Sequence, residues 1–517
     1  MFDLPVTKRA HFAGVLLATT KALVIILVYF GHSLSSQAFW PGPKEEAPPV
    51  YADEWGPGFQ ADDATEALQG AIDSGAPDIV VRNMGGDWIV RPIHLNSSFQ
   101  SITFEPGVRV LAKSGAFHGV NDALFSTAGE DGVEPIGSHH IRLEGTDATF
   151  RMNQEDYTSE SYEPGQWRHT IRLTGTHHIS INGLTLQNSG GDGVYIGHFP
   201  CSDIHLNNIT AENHFRQGIS ITDAENVFVE NSIFRNTAGT ILGAGVDLEP
   251  NHAGAKIKNI AFINTIFSDN DGYGVLIWLP YLNPTSEPIE VLFQDCLIEG
   301  TGMVIGRANV GGRIIVDRVT IQNTDLGAID LVHKSIHTRV EFSNLTLRET
   351  ARLDLEGLTP IMLYGQNPNI EHGNIRLNNV FVQDNGNRAV MSAWEYVWSP
   401  GGLHDTQGTV FVEDPEGTWA DLNIRYDVNL DISHGTPSPP VPPTPTEIVP
   451  AALQSQTLEL TCSGLTPRAL NRVQKANPPF ESPWQDHSFF ITNTPEQTIH
   501  IPLEEDEVQT RFRILSR

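Results

Sequence analysis

The chain of 517 residues is 39% hydrophobic and 18% charged, enough apolar material for a large core, which excludes a disordered chain or a minimal scaffold. Lys and Arg number 32 against 62 Asp and Glu, a formal charge of −30, so attraction to nucleic acid or to anionic membranes is a poor basis for function. The 46 Gly and 33 Pro favour turn-rich β structure, and three cysteines, Cys201, Cys296 and Cys462, are too few for a disulfide framework and leave one bridge or none open.

Lys8 and Arg9 precede a run of nine apolar residues, 22–30, and a small, polar stretch to Gln37, the pattern of a signal peptide over residues 1–38. Nine residues at ~1.5 Å rise cover about half of a roughly 30 Å bilayer core. Counted from Gly14, the same segment could serve as an anchor, but Lys21 would then sit in hydrocarbon at a cost of about 3 kcal/mol. Export to the medium or periplasm, with no membrane contact after cleavage, is expected; an N-terminal membrane anchor is the alternative. Residues 62–73 then place Ala, Leu and Ile at helical spacing behind Asp62 and Asp63, which predicts a short amphipathic helix.

From about residue 176 the sequence repeats. Asn182, Asn207, Asn231, Asn264, Asp295, Asp317, Ser343 and Asn378 each stand two places before an apolar residue, at separations of 22 to 35 residues. After most of them a glycine opens a second short strand, at Gly193, Gly218, Gly245, Gly274 and Gly302, with apolar residues one and three places on. Short strands of this kind pack as rungs about 4.8 Å apart, with asparagines stacked at one bend. The pattern resembles the right-handed parallel β-helix of the pectin-lyase-like superfamily over roughly residues 62–432, an all-β solenoid. The resemblance implies that the helix at 62–73 caps the open N-terminal end and that the substrate is a polysaccharide or oligosaccharide. The expected domains are the solenoid at 39–435, a proline-rich linker at 436–447 and a small β-sandwich-like domain at 448–517, whose alternating strands show no catalytic constellation. A monomer is expected.

In-register rungs make outward columns. The second place after glycine holds Tyr195, Ser220, Asp247, Leu276 and Val304, and the fourth holds Gly197, Thr222, Glu249, Trp278 and Gly306. Asp247 and Glu249 therefore share a face with Cα atoms about 6.5–7 Å apart, a spacing that suits an inverting acid and base better than a retaining pair. Asp192 is the third acidic candidate. Tyr195, Arg216, Gln217 and Trp278 are expected to bind or orient substrate, Arg216 and Lys256 through charge-assisted hydrogen bonds and Trp278 by stacking. Tyr157, Tyr162 and Trp167 are further stacking candidates; Trp394, Tyr396 and Trp398 read better as closing the C-terminal end. Polygalacturonase-like enzymes carry Gly-His-Gly where Arg216-Gln217-Gly218 stands here, and only Asp192 loosely matches their acidic motifs. Three functions follow: a glycoside hydrolase; a lyase or uronate epimerase, with Tyr195 and Arg216 recast and calcium neutralising the uronate; and a glycan-binding adhesin. No cofactor is required by the first, no histidine spacing reads as a zinc set, and His333 and Lys334 read as a solvated turn.

Overall fold

The computed structural model describes residues 48–413, except 241, 354, 356, 366–370, 384–388 and 396–402, then 428–434 and C-terminal strands at 446–448, 457–463, 470–476, 485–491, 496–502 and 511–516. The expected signal peptide, most of the linker and the side chains of Trp394, Tyr396 and Trp398 lie outside this description. Among the described residues, no helix is long and apolar enough to cross a membrane. The chain divides into two compact units, parting near Pro439.

The first unit is a right-handed parallel β-helix. A typical coil carries three strands, as in Cys201–Asn207, Thr210–Glu212 and Gln217–Ile221, and each pairs in parallel with its equivalent one coil on: Ala224–Glu230, Ile233–Arg235 and Ala244–Leu248. Inward residues alternate along each strand and stack coil upon coil, Ile204 on Val227 on Ile260 on Val291 and Phe262 on Phe293 with rings 5.0 Å apart. The bend carries the expected ladder: Asn207 donates to Asn182 at 2.9 Å, Asn231 to Asn207 at 2.8 Å and Asn264 to Asn231 at 2.7 Å.

Thr65–Asp73 is the cap, with Ala67, Leu68, Ala71 and Ile72 buried against the first coil. Asp63 accepts from the Thr65 amide at 3.1 Å and its hydroxyl at 2.5 Å, which occupies helix-start donors that would otherwise be orphaned. The cap covers apolar interior and strand edge that would template association.

The glycines that open the second strand have a steric cause. A Cβ on Gly218 would lie 2.6 Å from the Gly245 carbonyl oxygen and 2.8 Å from Phe234 Cβ, so only glycine lets this part of the coil press against its neighbour. Its inward placement, next to inward Ile219, breaks the alternation. The residue before it, Gln217 or its register partner Ala244, is thereby on the outer face with Ser220 and Asp247.

The C-terminal unit is antiparallel, a four-stranded sheet of Thr446–Ile448, Arg511–Ser516, Leu470–Ala476 and Gln485–Ile491 with a ribbon of Thr457–Ser463 and Glu496–Pro502. Thr446 and Glu447, assigned above to the linker, pair within that sheet.

Candidate functional site

The outer column runs Arg172, Tyr195, Ser220, Asp247, Leu276, Val304 and Asp330, each registered on the next. The middle five are those expected from the glycine offset; Arg172 and Asp330 extend the column into coils that lack the glycine signature.

The column faces outward from the coil, but it is not the exposed strip the sequence suggested. Tyr195, Ser220, Asp247, Gln217 and Asp192 are all buried. The turn at 189–192 packs against the segment that ends at His169, where a Cβ on Gly191 would lie 2.8 Å from His169 Nδ1 and 2.9 Å from the Gln166 carbonyl oxygen, and the His169 ring stacks on Tyr195. Glu249, at 35% side-chain exposure, is the one of the three acids that solvent reaches.

Arg216 sits among all three. Its guanidinium lies 3.8 Å from Asp192, 3.6 Å from Asp247 and 3.6 Å from Glu249. Burial alone would lower the Arg216 pKa; Asp192, Asp247 and Glu249 outweigh it and raise it, so the cation is secure. Gln217 ties the acids together, its amide N–H donating to Asp192 at 3.2 Å and its side-chain Nε2 to Asp247 at 3.2 Å, while its Oε1 accepts from the Ala244 amide.

Burial raises the Asp192 pKa to about 6, against the opposing pull of Arg216, and raises Asp247 well above the carboxylate range, with Glu249 adding to the effect. Asp247 Oδ2 accepts from Gln217, while Oδ1 has no hydrogen-bond partner among the described residues. Both carboxyls lie 3.6 Å from the same Arg216 nitrogen, Nη2, so the two acids of the strand converge on one cation. Repulsion from Glu249 adds to burial in keeping the proton on Asp247.

Sequence reasoning missed His169 and Arg172. The Asp192 amide donates to His169 Nδ1 at 2.9 Å, which fixes the Nε2–H tautomer; burial, with Arg172 and Arg216 nearby, holds the ring neutral. Tyr195 stacks on His169 at 4.8 Å, and Arg172 lies 5.1 Å over the other partner in this stack, the Tyr195 ring. His169 Nε2 and Arg172 Nε and Nη1 are buried with no hydrogen-bond partner among the described residues. Both residues precede the regular glycine pattern, so no offset pointed to them.

The remaining candidates separate. Trp278 registers with Gly306, and its ring covers that glycine, where a Cβ would lie 2.1 Å from Trp278 Cε3; it joins an apolar patch with Ala244, Leu276 and Val304 beyond the acids. Lys256 is engaged by Glu225 at 3.0 Å. Tyr157 and Tyr162 are buried around Arg168, which anchors the insertion through the carbonyls of Phe117, His118 and Glu163. Trp167, 40% exposed, lines a cleft of about 590 Å³ with both tyrosines, Gly190, Phe215 and Thr240, beside the turns that carry Asp192 and Arg216. Lys334 is buried, not solvated: its ammonium donates to the carbonyls of Ser335, Thr338 and Gly373, and burial lowers its pKa to about 7. Nor do the histidines stay apart, since His139, His140 and His177 bring their nitrogens together.

A sequence profile described as "Right handed beta helix region" matches residues 120–281. The catalytic unit of a GH87 alpha-1,3-glucanase from Streptomyces thermodiastaticus is similar at 14% identity and a TM-score of 0.50, over 76% of this chain and 69% of that one. A family 28 exopolygalacturonase from Yersinia enterocolitica is similar at 14% identity and a TM-score of 0.45, over 76% and 79%. The surface adhesin PfbA of Streptococcus pneumoniae is similar at 14% identity and a TM-score of 0.37, over 71% and 87%. No curated protein matches. The chain is a right-handed parallel β-helix protein.

Proposed function

We propose that the protein is an exported carbohydrate-active enzyme that hydrolyses a glycan on the outer face formed by residues 192–249. The observation that carries this reading is the convergence of Asp247 and Glu249 on Arg216, each 3.6 Å from its Nη2, the first a buried carboxyl whose pKa is pushed well up and the second one that solvent reaches. Glycoside hydrolysis needs a proton for the leaving oxygen and a carboxylate that assists attack at the anomeric carbon. Glu249 is the carboxyl placed to meet the glycan, with Asp247 behind it beside Arg216. Asp192 is the second carboxyl, across Arg216, and substrate entry must open it to water.

Trp167 and the cleft around it offer a stacking surface on one side of the acids, and Trp278 another. Three acids against Arg216 and Arg172 suit neutral hydroxyls better than a polyuronate. Tyr195 argues against the lyase reading: burial raises its pKa and its hydroxyl contacts Thr222 at 3.1 Å, the opposite of what a phenolate base needs. Calcium has little place among carboxyls already spanned by a guanidinium.

The test follows new reducing ends and ultraviolet absorbance of unsaturated products together across neutral and uronic polysaccharides. Reducing ends without absorbance are expected, with Glu249→Gln lowering kcat about 10²–10⁴-fold. Absorbance rising in step would mean a lyase. Glycan retention with no cleavage across the panel would mean a binding solenoid.

A further inference from the structure

We propose that His139, His140 and His177 form a binding site for a borderline divalent transition-metal ion such as Zn²⁺, on coils ahead of the acidic strip. Their ligand atoms all lie within 4.8 Å of one another. The inference is independent of the hydrolase reading.

The site arises from two His-His dipeptides that the register stacks. Ile141 pairs with Ile179, so His139 stands on His177 and His140 on His178. The rings follow: His139 and His177 stack at 4.5 Å with planes 14° apart, His140 and His178 at 4.3 Å and 8°. Within each dipeptide the two Nδ1 atoms approach to 2.8 Å, the first pair across His139 and His140, the second across His177 and His178. Alternate backbone conformations make this convergence: His140 and His178 have φ of 55° and 56°, the left-handed region, which turns each ring back toward its predecessor.

The same left-handed column continues through Asp203, Asn226 and Asn259, where Asn226 donates to Asp203 at 2.9 Å and Asn259 to Asn226 at 2.8 Å. An amide both donates and accepts, so an asparagine ladder satisfies itself from coil to coil. The N–H and lone pair of an imidazole lie in the ring plane, so two face-to-face ring pairs cannot bond along the coil axis in that way. What they offer instead is converging nitrogen donors.

Zn–N bonds of about 2.0–2.1 Å in a tetrahedral site place ligand nitrogens roughly 3.4 Å apart. The 2.8 Å pair needs a small outward ring rotation, and the proton it shares moves to Nε2 of the same ring, a change of tautomer rather than of charge. Asp203 stands 3.9 Å behind His178 as an outer carboxylate, and Phe99 stacks on His140 at 4.7 Å as a partial lid. Imidazole donors select zinc, nickel or copper over calcium.

The test is calorimetric titration of the chelator-stripped full chain with ZnCl₂ and, separately, CaCl₂. One saturable Zn²⁺ per chain is expected, with His140→Asn and His177→Ser each weakening binding at least about tenfold. These columns already carry Asn226 and Ser202 at the corresponding places, so the replacements suit the coil. Unchanged affinity in both variants, equal affinity for Ca²⁺, or no saturation near one ion would overturn the proposal. Should a variant fail to fold, the Co²⁺ spectrum of the unaltered chain decides: ligand-field bands of nitrogen ligation support the site, and the spectrum of the hydrated ion overturns it.

Discussion

At Asp192, desolvation and a nearby cation oppose each other, and the balance has a measurable sign. Its side chain has no solvent exposure, and its amide neighbour, Gln217, and Arg216 both favour the anion, yet the pKa still rises from 3.8 to about 6 because burial is the larger effect. A carboxyl with a raised folded pKa binds its proton more tightly folded than unfolded. Its contribution is therefore fully present below about pH 3.8 and is lost as pH climbs through about 6. At roughly 1.4 kcal/mol per unit, this shift corresponds to about 3 kcal/mol. Asp192→Asn should melt ever higher relative to the parent as pH increases from 4 to 7, with Arg216 still held by Asp247 and Glu249. Thermal melts across that range check it, and a difference independent of pH would show that the carboxyl is not strained by burial. The same substitution should depress turnover, so stability and activity part company here.

Among the elements, the bend ladder shows how side-chain and backbone demands coincide. Asn231 donates to Asn207, accepts from Asn264 and has φ of 51°, a conformation asparagine adopts more readily than alanine. Asn231→Gly should lose only the ladder bonds, about 1 kcal/mol for an exposed pair, whereas Asn231→Ala should lose roughly 1–2 kcal/mol more through the backbone. Chemical denaturation of the two variants separates the contributions. This ladder was legible in the sequence because the Asn repeat and the bend share one cause, and the outer column was legible because Gly218 and its equivalents have a steric reason to recur. Exposure was not legible. Whether Tyr195 or Asp247 reaches water depends on His169 stacking on the one and Arg216 and Gln217 folding against the other, and no periodicity reports that packing. The convergence of Asp247 and Glu249 on Arg216 was hidden too, since Cα spacing along a strand says nothing of the rotamers that bring both carboxyls to one guanidinium. The histidine array escaped for a third reason: adjacent His pairs have no ligand spacing until register superposes them.

For the whole molecule, a solenoid couples each coil chiefly to its two neighbours, so damage should spread over a limited distance. Phe262 tests this. It is fully buried, stacks on Phe293 at 5.0 Å and meets the edge of Phe267 at 5.7 Å, while its strand, Ile257–Ile263, pairs with Ala224–Glu230 on one side and Ile289–Gln294 on the other. Phe262→Ala removes a ring from a column with nothing able to refill it, at a cost of about 3–5 kcal/mol. In a globular domain that unfolds as one unit, every core amide would lose protection by that amount. Here the loss should be full in the three strands just named and fade coil by coil, leaving Asp78–Val81 and Gln100–Phe104, beneath the capping helix, near their original protection. Hydrogen exchange of the variant against the parent reads this directly, and a uniform loss from cap to C-terminal coil would mean that the solenoid unfolds as a single cooperative body. Graded loss would also explain how the outer face can hold strained, buried acids around Arg216: the cost of the site is borne by the coils that carry it, while the rest of the stack keeps them in register.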